Sequence, residues 1–282
     1  MREAGAAAAG AAPRSLDDDQ TRLRAAVRAA GAAALRRFED HDARAWTKDD
    51  DSPVSEADLE CDDILRERLT EASDGYGWLS EESADDLSRL TAPRTWIVDP
   101  IDGTRAFLKG KPHFAVCVAL VEAGQPVLAA IFNPATDEFF EARAGGGARL
   151  NGTPIAASGC ASLSGCQMLG SRAMFEHRGW PQPWPIMSLG YRNSTSYRCA
   201  LVADGRFDAT LALVRKPDWD TAPGALIASE AGARVSDHLG EPFVFNQREA
   251  SQRALVCAGP ALYPQIIERL VHLPGDLRRI AV

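Results

Sequence analysis

Asp99 and Asp102 stand three residues apart in Asp99-Pro100-Ile101-Asp102-Gly103-Thr104, directly after the apolar run Trp96-Ile97-Val98. Carboxylates crowded into a Pro/Gly turn repel one another and titrate upward unless a cation lies between them. A hard divalent ion such as Mg²⁺ resolves the conflict, because it takes oxygen ligands from a few carboxylates plus a substrate phosphate. Gly103 lets the backbone approach a phosphate closely, its N–H can donate to a phosphate oxygen, and the Thr104 hydroxyl can orient a water. Further acids fall where strands are expected to end or helices to begin: Asp58, the pair Glu81 and Glu82, and Asp220 in Lys216-Pro217-Asp218-Trp219-Asp220. Each of these alone has an ordinary reading. Asp58 suits a helix dipole, Glu81 and Glu82 suit a solvated loop, and Asp220 suits an N-cap before Thr221 with Pro223 in the first turn. The string WIVDPIDGT is different, because it couples a buried strand to two acids, a glycine and a hydroxyl.

The elements that must hold these groups are legible from periodicity. Leu16, Leu23, Val27, Leu35 and Phe38 predict a helix over residues 16–40, and a second helix is expected from near Val54, with Cys61, Ile64, Leu65 and Leu69 on one face. Strands are expected at Tyr76–Leu79 and Thr95–Val98. The apolar runs Phe114–Val121 and Val127–Phe132, split by Glu122-Ala123-Gly124-Gln125-Pro126, predict a long hairpin, and Asp137–Ala142 a further strand. Beyond residue 160 the elements shorten. Strands are expected near Met168, over Phe207–Val214 and over Ala254–Ala258. Helices are expected over Tyr197–Ala203, Thr221–Ala231 and Ala261–Leu270. The pattern is mixed α/β in two layered halves. The expected division is an Ala/Gly-rich disordered tail over 1–15, an N-terminal half over 16–160 carrying the acidic motifs, and a C-terminal half over 161–282 contributing Asp220 and substrate contacts.

Composition narrows the function class. At 282 residues and 45% hydrophobic content the chain can bury a sizeable core. A formal net charge of −8 argues against a nucleic-acid polymer or an anionic membrane as partner. No apolar run reaches the length of a membrane span, and Met1–Ala12 lacks the apolar stretch and basic start of an export signal. The six cysteines show no Cys-x-x-Cys pair, and several sit in apolar runs, so reduced core thiols and a cytoplasmic location are expected.

Taken together, SPVSEAD (52–58), WLSEES (78–83), WIVDPIDGTRAF (96–107), GGGARLNG (145–152) and DWDTAPGALIASEAG (218–232) resemble the inositol monophosphatase superfamily of Mg²⁺-dependent, lithium-sensitive phosphomonoesterases. The resemblance runs from about residue 20 to 272. It implies a layered α-β-α-β-α sandwich. It also implies two or three Mg²⁺ ions per site, held by Glu81, Asp99, the carbonyl of Ile101, Asp102 and Asp220, with Asp99 bridging two ions. Asp58 and Thr104 match the pair that positions the attacking water, and Glu82 an acidic neighbour acting from behind. Substrate contacts are expected from Ile101, Asp102, Gly103, Thr104, Ser171, Arg172, Lys216 and Asp220. The family is often dimeric, and the long hairpin suits either an interface or a core.

Two substrate readings compete within the resemblance. WLSEES and the segment MLGSRAMFEHRGW resemble bacterial 3'(2'),5'-bisphosphate nucleotidases, which cleave adenosine 3',5'-bisphosphate, a by-product of sulfate assimilation. The alternative is an inositol-1-phosphate or other small sugar phosphatase. Arg172, Arg215 and Lys216 could meet a second phosphate, and Trp180, Trp184 and Trp219 could stack a base or fill core. Other classes fit less well. A phospho-aspartate mechanism needs Asp-x-Asp rather than Asp-Pro-Ile-Asp. A P-loop at Gly147–Thr153 lacks its Lys and falls in a hairpin. A non-catalytic metal-binding regulatory homologue would be expected to lack a ligand, and none of the matched ones is missing.

Overall fold

The computed structural model describes residues 14–41, 43–49, 51–70 and 75–273. Of the expected N-terminal tail, residues 1–13 lie outside the described residues. Ser15 is the N-cap of helix α1 (Leu16–Asp40), its Oγ accepting from the Asp18 N–H. Leu23, Ala26, Val27, Ala30 and Ala34 recur at helical spacing and form the buried stripe of α1. A short antiparallel ribbon, β1 (Ala45–Thr47) with β2 (Pro53–Ser55), leads into α2 (Glu56–Thr70). A seven-stranded sheet follows in chain order: β3 (Gly77–Ser80), β4 (Arg94–Asp102), β5 (Ala115–Glu122), β6 (Gln125–Asn133), β7 (Glu138–Arg143), β8 (Gly147–Leu150) and β9 (Thr153–Pro154). The one-turn helix α3 (Thr104–Phe107) interrupts it after β4. Only β3 and β4 run parallel.

Every residue of β4 is buried. Both faces of the sheet are covered, so the polar alternation of a half-exposed strand is absent. Trp96, Val98, Val116, Val118 and Leu120 face α1 and α2, whereas Ile97, Cys117, Ala119 and Ile131 face the other way. Reading β4 by its apolar run ends it at Val98, but the ladder continues through the acids to Asp102 with an irregular register between Asp99 and Asp102. Residues three apart on a regular strand point to opposite faces, and that irregularity re-aims them. The β5–β6 hairpin is core, since Ala115–Val121 is buried throughout.

The second half begins with β10 (Gln167–Leu169), α4 (Arg172–Phe175), β11 (Ser188–Gly190), α5 (Thr195–Ala203), β12 (Ala209–Ala212) and β13 (Lys216–Pro217). It continues with α6 (Asp218–Glu230), β14 (Arg234–Ser236), β15 (Ser251–Gln252), β16 (Leu255–Ala258) and α7 (Tyr263–Leu270). Five strands form a mixed sheet in the order β11-β10-β12-β16-β14. α5 and α6 fill the space between the two sheets, contacting Ile97 and Cys117 on one side and Leu255 and Cys257 on the other. α4 and α7 cover the far face of the second sheet through Met174, Phe175, Ile266 and Leu270. The order of layers is therefore α-β-α-β-α, as the resemblance implied.

α6 begins at Asp218 rather than Thr221, so Asp220 lies in its first turn and is not its cap. Pro217, fixed at φ −57° and ψ 158°, supplies the turn into the helix, and Pro223 falls inside it. Gly224 lets α6 pack against α5, since a Cβ there would stand 2.7 Å from the Cys199 Cβ. No helix among the described residues is long and apolar enough to cross a membrane.

Candidate active site

The C-terminal ends of β3 and β4 and the first turns of α5 and α6 meet at one cavity of about 360 Å³. Glu81, Asp99, Ile101, Asp102, Gly103, Thr104, Ser171, Lys216 and Asp220 all line it. One carboxylate oxygen from each of Glu81, Asp99 and Asp220 lies within 4.8 Å of the others. Asp99 is 1% exposed; its Oδ1 accepts from the Ile101 N–H at 3.1 Å, and its Oδ2 is buried without a partner. A buried carboxylate with an unpartnered oxygen, set beside two more carboxylates, is chemistry that a hard cation would satisfy.

Asp102 is held differently. Ser194 Oγ at 2.7 Å, the Ser196 N–H at 2.8 Å and the Thr195 N–H at 3.2 Å all donate to it. It is thus bound by the first turn of α5, beside the three-carboxylate cluster rather than inside it. Ser194 is also the N-cap of α5. These serines were not singled out by the sequence, because Asn193-Ser194-Thr195-Ser196 reads as an ordinary helix start until a partner is known. Gly103 joins the same contact at φ 104°, and a Cβ there would stand 2.7 Å from the His113 carbonyl oxygen and 3.2 Å from the Ser194 nitrogen.

Asp58, 1% exposed, sits behind the cluster. Its Oδ2 accepts from Ser55 Oγ at 2.6 Å and from the Ser55 N–H at 2.9 Å. Thr104 Oγ1 lies 2.9 Å from Asp58 Oδ1 and 3.1 Å from the Ile101 carbonyl oxygen. Glu82 is joined to Glu81 through Lys48, whose Nζ is 2.7 Å from Glu82 and 3.2 Å from Glu81. Lys216 Nζ is 2.8 Å from Asp220 Oδ2. Lys48, on the turn between β1 and β2, was not anticipated from the sequence.

The electrostatics follow from crowding and burial. Burial first, then the charges of Glu81, Asp102 and Asp220, push the Asp99 carboxyl well up. Burial and neighbouring Asp220 raise Asp102 to about 7, against the hydrogen bonds from α5. Burial raises Glu82 to about 7 despite Lys48, and Glu81 and Asp58 move upward from the same cause. Six carboxylates here face two lysine ammoniums. The donor set, all hard oxygen, fits Mg²⁺.

Other expectations resolve differently. Arg172 is outside the cavity, its side chain 68% exposed and paired with Glu176 at 2.8 Å. The i,i+4 spacing on α4 gives it that partner, and only Ser171 of the pair faces inward. Arg215 pairs with Glu249 and Ser251. Trp180 and Trp184 pack edge to face at 5.1 Å in the core under α7, and Trp219 packs against the core between the sheets. Besides Lys216, the cationic and aromatic side chains that reach the cavity are Arg105, Tyr191, Arg192 and Arg198. Gly147–Thr153 is a β8–β9 hairpin, as the dismissal of a P-loop required.

The model of the inositol monophosphatase family matches residues 16–273. The chain belongs to the inositol monophosphatase family. Among its relatives, an inositol-1-monophosphatase of Rhizobium meliloti (strain 1021) is 38% identical over 200 residues, 66% of this chain and 73% of the relative. A histidinol-phosphatase of Chlorobaculum parvum is 31% identical over 229 residues, 77% of this chain and 85% of the relative. The crystal structure of the extragenic suppressor protein SuhB from Bartonella henselae superposes with a TM-score of 0.77 at 27% identity, covering 89% of this chain and 98% of that one. Membership of the inositol monophosphatase family assigns the chain to the phosphoric monoester hydrolases.

Proposed function

We propose that this chain is a Mg²⁺-dependent phosphomonoesterase that hydrolyses a small-molecule phosphate ester by direct attack of water. The observation that carries the reading is the cluster of Glu81, Asp99 and Asp220, in which Asp99 keeps a buried oxygen without a hydrogen-bond partner, next to the Asp58–Thr104 pair. Glu81, Asp99, the Ile101 carbonyl, Asp102 and Asp220 would hold two or three Mg²⁺ ions. Bound there, Mg²⁺ neutralises the carboxylates and acts as a Lewis acid toward phosphoryl oxygen and water.

The chain's own groups then have defined tasks. Thr104 Oγ1, oriented by Asp58, positions a water for in-line attack, and Asp58 accepts the proton passed through that hydroxyl. Glu82 sets the position of Lys48 and through it of Glu81. The backbone at Gly103 and Thr104 receives the phosphate. The half over 16–160 supplies most of the acids, and the half over 161–282 supplies Asp220 and the outer wall. Six free cysteines, five of them buried, accord with a reducing cytoplasmic location.

For the ester, inositol 1-phosphate and histidinol phosphate enter by the names of relatives. Adenosine 3',5'-bisphosphate is the second reading, favoured by Arg192, Arg198 and the half-exposed ring of Tyr191 on the outer wall. The test is a phosphate-release screen over inositol phosphates, histidinol phosphate, nucleotide bisphosphates and sugar bisphosphates, with Mg²⁺, with and without Li⁺. Mg²⁺-dependent, Li⁺-inhibited release is expected. Mg²⁺ binding by calorimetry with no release from any ester would turn the assignment to a metal-binding regulatory homologue.

A further inference from the structure

We propose that Arg198 anchors a second anionic group of the substrate, so that the site is built for a phosphate monoester carrying another phosphate or a carboxylate. This rests on the phosphomonoesterase reading and adds a substrate class to it.

Arg198 lies on α5, one turn beyond the Ser194–Ser196 segment that holds Asp102, and its N–H donates to the Ser194 carbonyl at 3.2 Å. Helical side chains lean toward the N-terminus, which carries the guanidinium back over that turn. Nη2 donates to Thr195 Oγ1 at 3.2 Å. The residue is only 7% exposed, yet it lines the cavity beside the apolar Leu211 and Leu213. Its Nε is buried with no partner. Among the described residues no carboxylate pairs with it, and its one hydrogen-bond acceptor is a neutral hydroxyl.

A guanidinium cannot shed its proton, and a buried charge without a counter-ion is costly. Of the other cations on this cavity, Lys216 is paired with Asp220 at 2.8 Å, whereas Arg105 is exposed and Arg192 half-buried, so water can solvate them as it cannot solvate Arg198. Arg198 therefore lines the cavity that also holds the acidic cluster, with its guanidinium charge unanswered by any acid among the described residues. Its planar fork matches a phosphate or a carboxylate. A substrate offering only hydroxyls there would leave the charge unanswered.

The experiment uses matched esters on the full chain with Mg²⁺: adenosine 3',5'-bisphosphate against adenosine 3'-monophosphate, and 3-phosphoglycerate against glycerol 3-phosphate. The wild type is expected to favour the member with the second anion by about tenfold or more in kcat/KM, roughly 1.4 kcal/mol. The two pairs separate phosphate from carboxylate as the second group. In Arg198→Met the ratio within the favoured pair should collapse toward one, chiefly through KM, and Arg198→Lys should restore part of it. A wild type that shows no preference, or an Arg198→Met variant that keeps the ratio, overturns the proposal.

A binding measurement stands apart from turnover. In Mg²⁺-free buffer, adenosine 5'-monophosphate and 3-phosphoglycerate are each titrated calorimetrically against adenosine and glycerol. At least one anion should bind about tenfold tighter than its neutral counterpart to wild type and lose that advantage in Arg198→Met. If no ester is hydrolysed yet this difference holds, the phosphatase reading falls and the anion site stands. If esters are hydrolysed and the difference is missing, the anion site falls alone. If Arg198→Met does not fold, the wild-type ratios and the Arg198→Lys titration decide.

Discussion

Thr104 Oγ1 lies 2.9 Å from Asp58 Oδ1, although 46 residues separate them in the chain. Asp58 has no direct access to the cavity except through this hydroxyl. The pair links the first turns of α2 to the end of β4, and it converts a buried carboxylate into a proton acceptor for whatever Thr104 touches. Removing the hydroxyl should break that link while leaving the cluster of acids intact. Thr104→Ala is expected to lower kcat by about 10²–10⁴, whereas Thr104→Ser should retain most of it. Steady-state phosphate release with saturating Mg²⁺ reads the difference, and equal kcat in wild type and Thr104→Ala would refute the role.

Neutralising one member of the cluster should separate activity from stability. Asp99→Asn and Asp220→Asn are each expected to reduce turnover by about a thousandfold or more, since both oxygens proposed to bind metal weaken as ligands. In EDTA the same variants should melt no lower than wild type, because an amide removes like-charge repulsion among buried carboxylates. Thermal melts and kcat together test this. Near wild-type kinetics in either variant would end the metal-ligand assignment.

The metal-free protein should lose stability as pH rises. Burial and crowding lift Asp102 and Glu82 to about 7, and Asp99 and Glu81 upward from the ordinary carboxylate range. A carboxyl whose folded pKa is raised binds its proton more tightly in the native state. Its contribution is full below about pH 4 and is lost as pH rises through about 7. In EDTA the melting temperature is therefore expected to be higher near pH 5.5 than near pH 8. Saturating Mg²⁺ should reverse the order, adding about 2.7 kcal/mol at a concentration a hundredfold above Kd, or several degrees. A metal-free melting curve that climbs between those pH values would contradict the buried-cluster electrostatics.

Ser194 serves two partners, capping α5 through the Tyr197 N–H at 3.0 Å and donating to Asp102 at 2.7 Å. Ser194→Ala is expected to cost about 1–3 kcal/mol of stability, a lost cap plus a weakened buried acceptor. Chemical denaturation measures it. A midpoint unchanged from wild type would show that neither bond matters.

Legibility in the sequence differed by residue. α1 is readable because its apolar positions repeat at helical spacing over many residues, and the β5–β6 hairpin because two continuous apolar runs flank a Gly/Pro turn. The apolar run that marks β4 stops at Val98, since the acids that matter most break it before the strand ends at Asp102. Pro223 reads as a first-turn proline and so places the start of α6 at Thr221, three residues after its actual start at Asp218. Arg172 and Arg215 were plausible phosphate ligands by proximity to motifs, yet each meets an acid on its own surface instead. Arg198 and Lys48 gave no signal, because one basic residue in a helix or a polar turn is unremarkable until its neighbours are known.

Local order and residue chemistry suffice for the mixed α/β class, the family resemblance and the acids that could bind a hard cation. The folded arrangement alone shows that Asp102 is gripped by the first turn of α5, that Lys48 spans Glu81 and Glu82, and that Arg198 reaches the cavity with no acid among the described residues to meet it. Those relations join segments up to about a hundred residues apart. They are set by how buried faces stack and by a strand irregularity that turns two carboxylates toward one space, which no local pattern records.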